Sequence, residues 1–363
     1  MDSDLSPQPV PAHTNIPTKA LFAALVLLGV VAGVAYYSNY LGFRQLLGMQ
    51  PADSTGLSSV PAQGLLILSL VSVADSAEDF FGVYPYVYDT SRKVLGYVHA
   101  DRLTGEQKAF TQQYRFSTNG NWAVFIGQGV EPDATTTLRA PEIYRADIAG
   151  AADFDMLVTK LQAGEVISSD ADVKRAPAIS DTGDVLYMTV SPDAPYSPLP
   201  EAWSIRHISS SGNSEVLVEG TYPQWVDAQR FIFLKSDGLY LYDIDDRLSS
   251  RLWGRSDLIT SDSMMDLSED KTTIVLSTPE YNTVTVLRVS DWDNPNITSD
   301  GTIPVAGGWP VVAPDSSAFA ILTSDGGFHI AMYDMDSLKP ISSSVNLSDA
   351  DPMLTSLTDW RPL

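Results

Sequence analysis

Pro223-Gln224-Trp225-Val226-Asp227, then Phe231-Ile232-Phe233-Leu234, then Leu239-Tyr240-Leu241-Tyr242-Asp243 is the stretch on which the reading of this chain turns. A short strand meets a polar turn. An apolar run too short for a helix follows, and then a third strand of alternating character. The same phrase recurs. Tyr114-Arg115-Phe116-Ser117-Thr118-Asn119-Gly120 precedes Trp122 to Ile126, and Pro177-Ala178-Ile179-Ser180-Asp181-Thr182-Gly183 precedes Val185 to Thr189. Met265-Asp266-Leu267-Ser268-Glu269-Asp270 precedes Thr273 to Leu276, and Pro310-Val311-Val312-Ala313-Pro314-Asp315 precedes Ala318 to Leu322. Third strands follow at Glu142 to Asp147, Trp203 to Ile208, Thr283 to Arg288 and Phe328 to Tyr333. A weaker fourth strand closes each unit, as at Glu215 to Val218.

The central apolar positions 116, 179, 225, 267 and 312 are separated by 63, 46, 42 and 45 residues. Most of these steps match the blade length of about 40–50 residues in four-stranded propeller repeats. The long step carries insertions around 128–141 and 149–175. Strands at 65–73, 83–89 and 94–99 precede the first full unit and lack an opening strand of their own. The C-terminus supplies one in Leu357-Thr358-Asp359-Trp360-Arg361-Pro362, where Trp360 lies 48 residues beyond Val312. The expectation is an all-β, six-bladed β-propeller over 63–363, with four-stranded blades and the two chain ends interlocked in one of them. Ring closure leaves only short, protected sheet edges.

The phrases Pro223-Gln224-Trp225 and Trp360-Arg361-Pro362, with the third strands Glu142 to Asp147 and Leu239 to Asp245, resemble the TolB-type, WD-like propeller repeat. The resemblance covers roughly 64–363. The Ser-Pro-Asp-Gly turn of that repeat never occurs intact; Ser117-Thr118-Asn119-Gly120 and Ala313-Pro314-Asp315-Ser316 stand nearest to it. What the resemblance implies is protein–protein contact in a cell envelope, or a propeller module fused to a peptidase. The second use needs a Gly-x-Ser-x-Gly elbow, which this sequence lacks.

Ahead of the repeats, residues 1–19 are polar, carry four prolines and read as a disordered cytoplasmic tail. Residues 20–40 read as a transmembrane helix, an uncleaved signal anchor. From Ala20 to Tyr37 there is no charge, and Tyr36, Tyr37 and Tyr40 sit where an interfacial aromatic belt would lie. Gly33-Val34-Ala35 offers a competing small-x-small cleavage site. Lys19 and Arg44 flank the helix almost symmetrically, so orientation rests on the short tail before it and the large domain after it. Gly29 and Gly33 are spaced for close helix approach. Residues 41–62 form a linker.

Lys+Arg total 22 against 45 Asp+Glu, a net charge of −23. That opposes nucleic-acid binding, which needs a basic footprint. With no cysteine in the sequence, disulfides, thiolate metal sites and thiol nucleophiles are excluded. No phosphate-loop or dinucleotide motif occurs. Of the four histidines, His13 lies in the tail and His99 at a strand end, while His207 and His329 sit on third strands of different blades. That pattern does not build a metal cluster. The acidic turns Asp291-Trp292-Asp293-Asn294-Pro295-Asn296 and Asp243-Ile244-Asp245-Asp246 carry oxygen ligands but lack the glycine and distal glutamate of a calcium loop. Tyr84, Tyr86 and Tyr88 share one face of a strand, either as a binding platform or as inter-blade packing. The proline-rich loop holding Pro192, Pro195, Tyr196, Pro198 and Pro200 is either a partner contact or a stiff connector.

No catalytic, cofactor or metal residue emerges, and the binding residues stay unassigned. The functional expectation is a single-pass membrane protein whose propeller lies on the extracytoplasmic side. It would act there as a protein- or peptide-binding scaffold of the cell envelope, not as an enzyme, and without a cofactor. The alternative is a propeller enzyme or carbohydrate-binding protein acting on a glycan or lactone at the channel mouth.

Overall fold

The computed structural model describes residues 65–72, 82–89, 94–97, 110–128, 140–151, 154–194, 197–254, 259–305, 307–323, 329–341, 345–346 and 353–361. Four sheets have four antiparallel strands each. The first holds β8 (Val173–Ile179), β9 (Val185–Val190), β10 (Ser204–Ile208) and β11 (Ser214–Glu219). The second holds β12 (Thr221–Trp225), β13 (Arg230–Lys235), β14 (Gly238–Asp243) and β15 (Leu248–Gly254). The third holds β16 (Met264–Leu267), β17 (Thr273–Thr278), β18 (Thr283–Val289) and β19 (Ile297–Pro304). The fourth holds β20 (Gly307–Val312), β21 (Ala318–Thr323), β22 (His329–Asp334) and β23 (Val345–Asn346).

The fifth sheet has eight strands. They are β1 (Leu65–Ser72), β2 (Gly82–Asp89), β3 (Val94–Tyr97), β4 (Phe110–Phe116), β5 (Trp122–Gln128), β6 (Glu142–Asp147), β7 (Glu165–Ser168) and β24 (Met353–Arg361). Six separate blades were expected; there are five sheets. The physical reason is one parallel pairing, Val83 of β2 with Phe110 of β4, which fuses the terminal group of strands to its neighbour. The expected interlock of chain ends is present: β24 pairs antiparallel with β1, Trp360 opposite Leu66. One helix, α1 (Phe154–Gln162), fills the second insertion, burying Leu157 and Leu161 one turn apart beside Tyr114, Tyr144 and Ile148.

The strand patterns follow from position. Second strands are covered on both faces, so β17 and β21 are buried at every residue and read as unbroken apolar runs. Fourth strands form the rim; β11, β15 and β19 have no buried residue, which is why they read weakly. The recurring Pro in the opening strands marks a bulge. Ala176, Tyr222 and Trp309 have φ of 45°, 51° and 56°, and the ladder slips a register beside each of them. The proline that follows needs no ladder donor there.

Six opening strands touch in a closed cycle: β24, β4, β8, β12, β16, β20 and back to β24. Side chains stitch neighbours in this cycle to each other's backbone. Gln113 accepts from Ala176 N–H (2.6 Å), Asp266 from Val312 N–H (2.8 Å) and Asp359 from Phe116 N–H (2.7 Å). Farther out, arginines do the same work. Arg145 donates to Gly183 O (3.0 Å) and Ser210 O (3.3 Å) of the next sheet and pairs with Glu165. Arg230 reaches Trp292 O (2.8 Å), and Arg288 reaches Met335 O (3.3 Å).

Among the described residues no helix is long and apolar enough to cross a membrane. The segments 1–19, 20–40 and 41–62, and with them His13, lie outside the described residues.

Arg145 is buried, and its guanidinium also sits 5.6 Å from the Trp122 ring centre. Removing it strands the buried Gly183 carbonyl. Arg145→Ala is expected to lower stability by about 2–3 kcal/mol, as for loss of charge-assisted hydrogen bonds with an acceptor left unpaired. Arg145→Lys recovers only part, because an ammonium cannot span the same acceptors. Chemical denaturation of the three proteins checks this.

Candidate functional site

The turns that join opening strands to second strands are built alike. Ser117, Ser180 and Ser268 each accept, through Oγ, a backbone N–H from the far side of the turn: Trp122 (2.9 Å), Asp184 (3.0 Å) and Thr273 (2.9 Å). The fourth residue of the turn is left-handed. Gly120 and Gly183 fill that place at φ 68° and 85°, where glycine has no Cβ to clash. In the corresponding turn after β16 the residue is Lys271, at φ 60°. Its N–H donates to Ser268 O (2.9 Å) and its carbonyl accepts from Trp292 Nε1 (2.8 Å), so the backbone is pinned while the side chain runs inward.

These turns and the ends of the opening strands surround a cavity of about 360 Å³. Its rim includes Asp181, Asp227, Glu269 and Lys271; deeper lie Arg115, Asp266 and Asp359. Arg115 and Asp266 come from β4 and β16, opposite each other in the cycle, and meet at 2.9 Å. The ion pair therefore crosses the ring. Both side chains are largely buried.

The electrostatics follow from that burial. Burial pushes the Asp266 carboxyl up, against the pull of the Arg115 guanidinium and the Val312 N–H. Burial pushes the Lys271 ammonium down, against the attraction of Asp266, Asp181, Glu269 and Asp359. Among the described residues, none of these carboxylates closes into an ion pair on Nζ. Asp227 behaves differently. Burial opposes its charge, but hydrogen bonds from the N–H groups of Gln229 and Arg230 and from the Arg230 guanidinium outweigh it, and its carboxyl sits below the usual range.

The residues singled out from sequence lie elsewhere. His207 is on β10, edge-on to Trp225 at 6.0 Å between ring centres; burial pushes its imidazole down, with Asp184 and Glu215 opposing. His99 and the side chain of His329 lie outside the described residues, as do the side chains of Tyr84, Tyr86 and Tyr88 on β2. Asp291 accepts Asp293 N–H and Asp243 accepts Asp246 N–H, each within its own loop, while Asp293 pairs with Arg230 of the neighbouring sheet. Among the described residues no group of side chains is arranged to hold a metal. In the proline-rich loop, Pro195 and Tyr196 are outside the described residues. Its end is fastened down, with Ser261 N–H donating to Pro198 O (2.7 Å) and Glu201 accepting from Ser236 N–H (2.9 Å).

Sequence reasoning missed Arg115, Asp266 and Asp359 as a set. A signal existed: each is the polar residue just before the central apolar one in its opening strand, ahead of Phe116, Leu267 and Trp360.

No protein-family model matches this chain, and no curated protein matches it. Solved structures do. TolB from Acinetobacter baumannii matches at 16% identity over 85% of this chain and 69% of that chain, with a TM-score of 0.54. An oligogalacturonate lyase in complex with manganese matches at 11% identity over 72% of this chain and 70% of that one, TM-score 0.46. A protein from Lactobacillus plantarum matches at 13% identity over 82% and 99%, TM-score 0.45. The chain has a TolB-like β-propeller fold.

A carboxylate held below its unfolded value contributes stability that is present above the unfolded value and lost as pH falls through the folded one. The advantage of the native chain over Asp227→Asn is therefore expected to be full at neutral pH. It should shrink from about pH 4 downward, the unperturbed aspartate value being about 3.9. Thermal melts of both proteins between neutral and acidic pH check it.

Proposed function

We propose that this protein is a membrane-tethered β-propeller on the extracytoplasmic side of a cell envelope, and that it works as a protein- or peptide-binding scaffold with the mouth of its central cavity as the contact surface. The observation that carries this reading is how the mouth's carboxylates are held. Asp266 is fixed by Arg115 and Val312 N–H, Asp359 by Phe116 N–H, Asp181 by Asn119 N–H (2.8 Å), and Asp227 by Arg230 and two backbone donors. Charges anchored to the ring make a rigid electrostatic template, which favours recognition and association rate. A general acid–base pair has to exchange protons with a substrate, and carboxylates already committed to backbone donors suit that role less. In this reading the tether is the apolar stretch 20–40 and the linker is 41–62. The TolB-like fold supplies the architecture alone.

One observation favours a second reading, an enzyme or carbohydrate-binding protein acting on a glycan or lactone. Asp266 is raised and Lys271 lowered within one cavity, and opposed shifts cluster at catalytic sites.

A photo-crosslinking amino acid in place of Thr118, an exposed residue at the cavity, separates the two in the full-length chain within its own membranes. The scaffold reading expects one discrete protein adduct there and none from the same group at Leu248 on the outer rim. Glycan adducts, or no adduct at either position, would overturn it.

A further inference from the structure

Asn296-Ile297-Thr298 is an Asn-x-Thr sequon, the acceptor sequence for N-linked glycans, and such acceptors belong on surface loops of exported chains. Of the nine asparagines in the chain, only Asn296 and Asn346, in Asn346-Leu347-Ser348, stand in that pattern. Both fall at fourth strands, on the outer edges of two sheets: Asn296 just before β19, Asn346 as the last residue of β23. The side chain of Asn346 lies outside the described residues. Asn296 closes the loop between β18 and β19, and that loop is fastened. Trp292 Nε1 donates to Lys271 O (2.8 Å), Arg230 pairs with Asp293 (3.0 Å) and Ser290 N–H donates to Asn296 O (3.3 Å). The backbone is held, while the Asn296 side chain is exposed and, among the described residues, makes no hydrogen bond. Thr298 is exposed as well.

We infer that Asn296 is an N-glycosylation site. This rests on the reading that places the propeller on the extracytoplasmic side, where glycan transfer takes place, and adds a modification to it. The donor is a lipid-pyrophosphate-linked oligosaccharide. Asn296 Nδ2 bonds to the anomeric carbon of the first sugar, the bond from that carbon to the phosphate oxygen breaks, and the lipid pyrophosphate leaves; the amide proton passes to the transferase. Thr298 supplies the hydroxyl that marks this asparagine off from other exposed ones. The physical consequence falls on the sheet edge. β19 ends its sheet with unpaired backbone groups, the usual template for another strand, and a bulky hydrated glycan at its head obstructs such pairing. Neither Asn296 nor Thr298 lines the central cavity, so the modification and the contact surface occupy separate residues.

The test is peptide mass spectrometry on the full-length protein purified from the membranes of its source. Most copies of the native peptide that contains Asn296 are expected to carry added sugar mass. Asn296→Gln and Thr298→Ala should lose it entirely, the second with Asn296 still in place. Thr298→Ser, which keeps the hydroxyl, should retain it. So should Asn294→Gln, which alters an exposed asparagine of the same loop outside the sequon. A bare Asn296 in the native protein, or sugar that persists in Thr298→Ala, overturns the inference. Location is read separately. The chain has no cysteine, so Leu248→Cys on the exposed rim gives one thiol for a membrane-impermeant maleimide added to intact cells. Labelling together with a bare Asn296 removes the glycan and leaves the location standing. No labelling until the membranes are opened removes the location, and the glycan with it.

Discussion

β24 runs back to pair with β1, and through that pairing the last strand of the chain takes its place among the six opening strands that touch in a cycle. Without it β4 and β20 would have no common neighbour, and the cavity would be an open cleft. Closure in sequence space is costly, since the partners lie nearly a full chain length apart. The entropy of bringing chain ends together grows only slowly with length, however. The closed ring in return buries the inner backbone and leaves few sheet edges for aggregation.

The chemistry of the mouth depends on the same cycle. Asp359 comes from the closing strand and accepts Phe116 N–H of β4; Asp266 does the same for Val312 on β20. Arg115 reaches across to Asp266 only because β4 and β16 face each other. A buried ion pair of this sort adds little net stability once desolvation is counted. Its consequence is positional: it holds opposite walls of the ring in a fixed relation and puts a charged floor under Lys271 and the rim carboxylates. Stability rests more on the apolar layers between sheets, such as the cluster around Tyr222, Ile232, Leu241, Met265 and Leu276.

Much of this was legible in the residues. The Trp225 phrase and its copies located the opening strands, because bulge, proline and serine-bearing turn each leave a letter at a fixed offset. Trp360, one step beyond Val312, foretold the closure. The sheet count was not legible, because a single parallel contact between Val83 and Phe110 merges two groups of strands, and no sequence pattern marks one bridge. Helix α1 lies inside an insertion, and although Phe154, Leu157, Val158 and Leu161 keep helical spacing, its nine residues make a short signal between strands. The site was read least well. Its residues come one or two from each repeat, so no local motif gathers them, whereas His207 packs on Trp225 and the turn aspartates Asp291 and Asp243 accept N–H groups of their own loops.

Cross-linking the closure tests this account most directly. The chain has no cysteine, so a single engineered pair reports without scrambling. Ser69 and Ser356 are partners in the β1–β24 ladder, and paired antiparallel positions lie within the span a disulfide accepts. In Ser69→Cys/Ser356→Cys the account predicts near-complete intramolecular oxidation, a more compact band on a non-reducing gel and a higher melting temperature that reverts on reduction. Free thiols, or disulfide-linked dimers with an unchanged melting temperature, would contradict it.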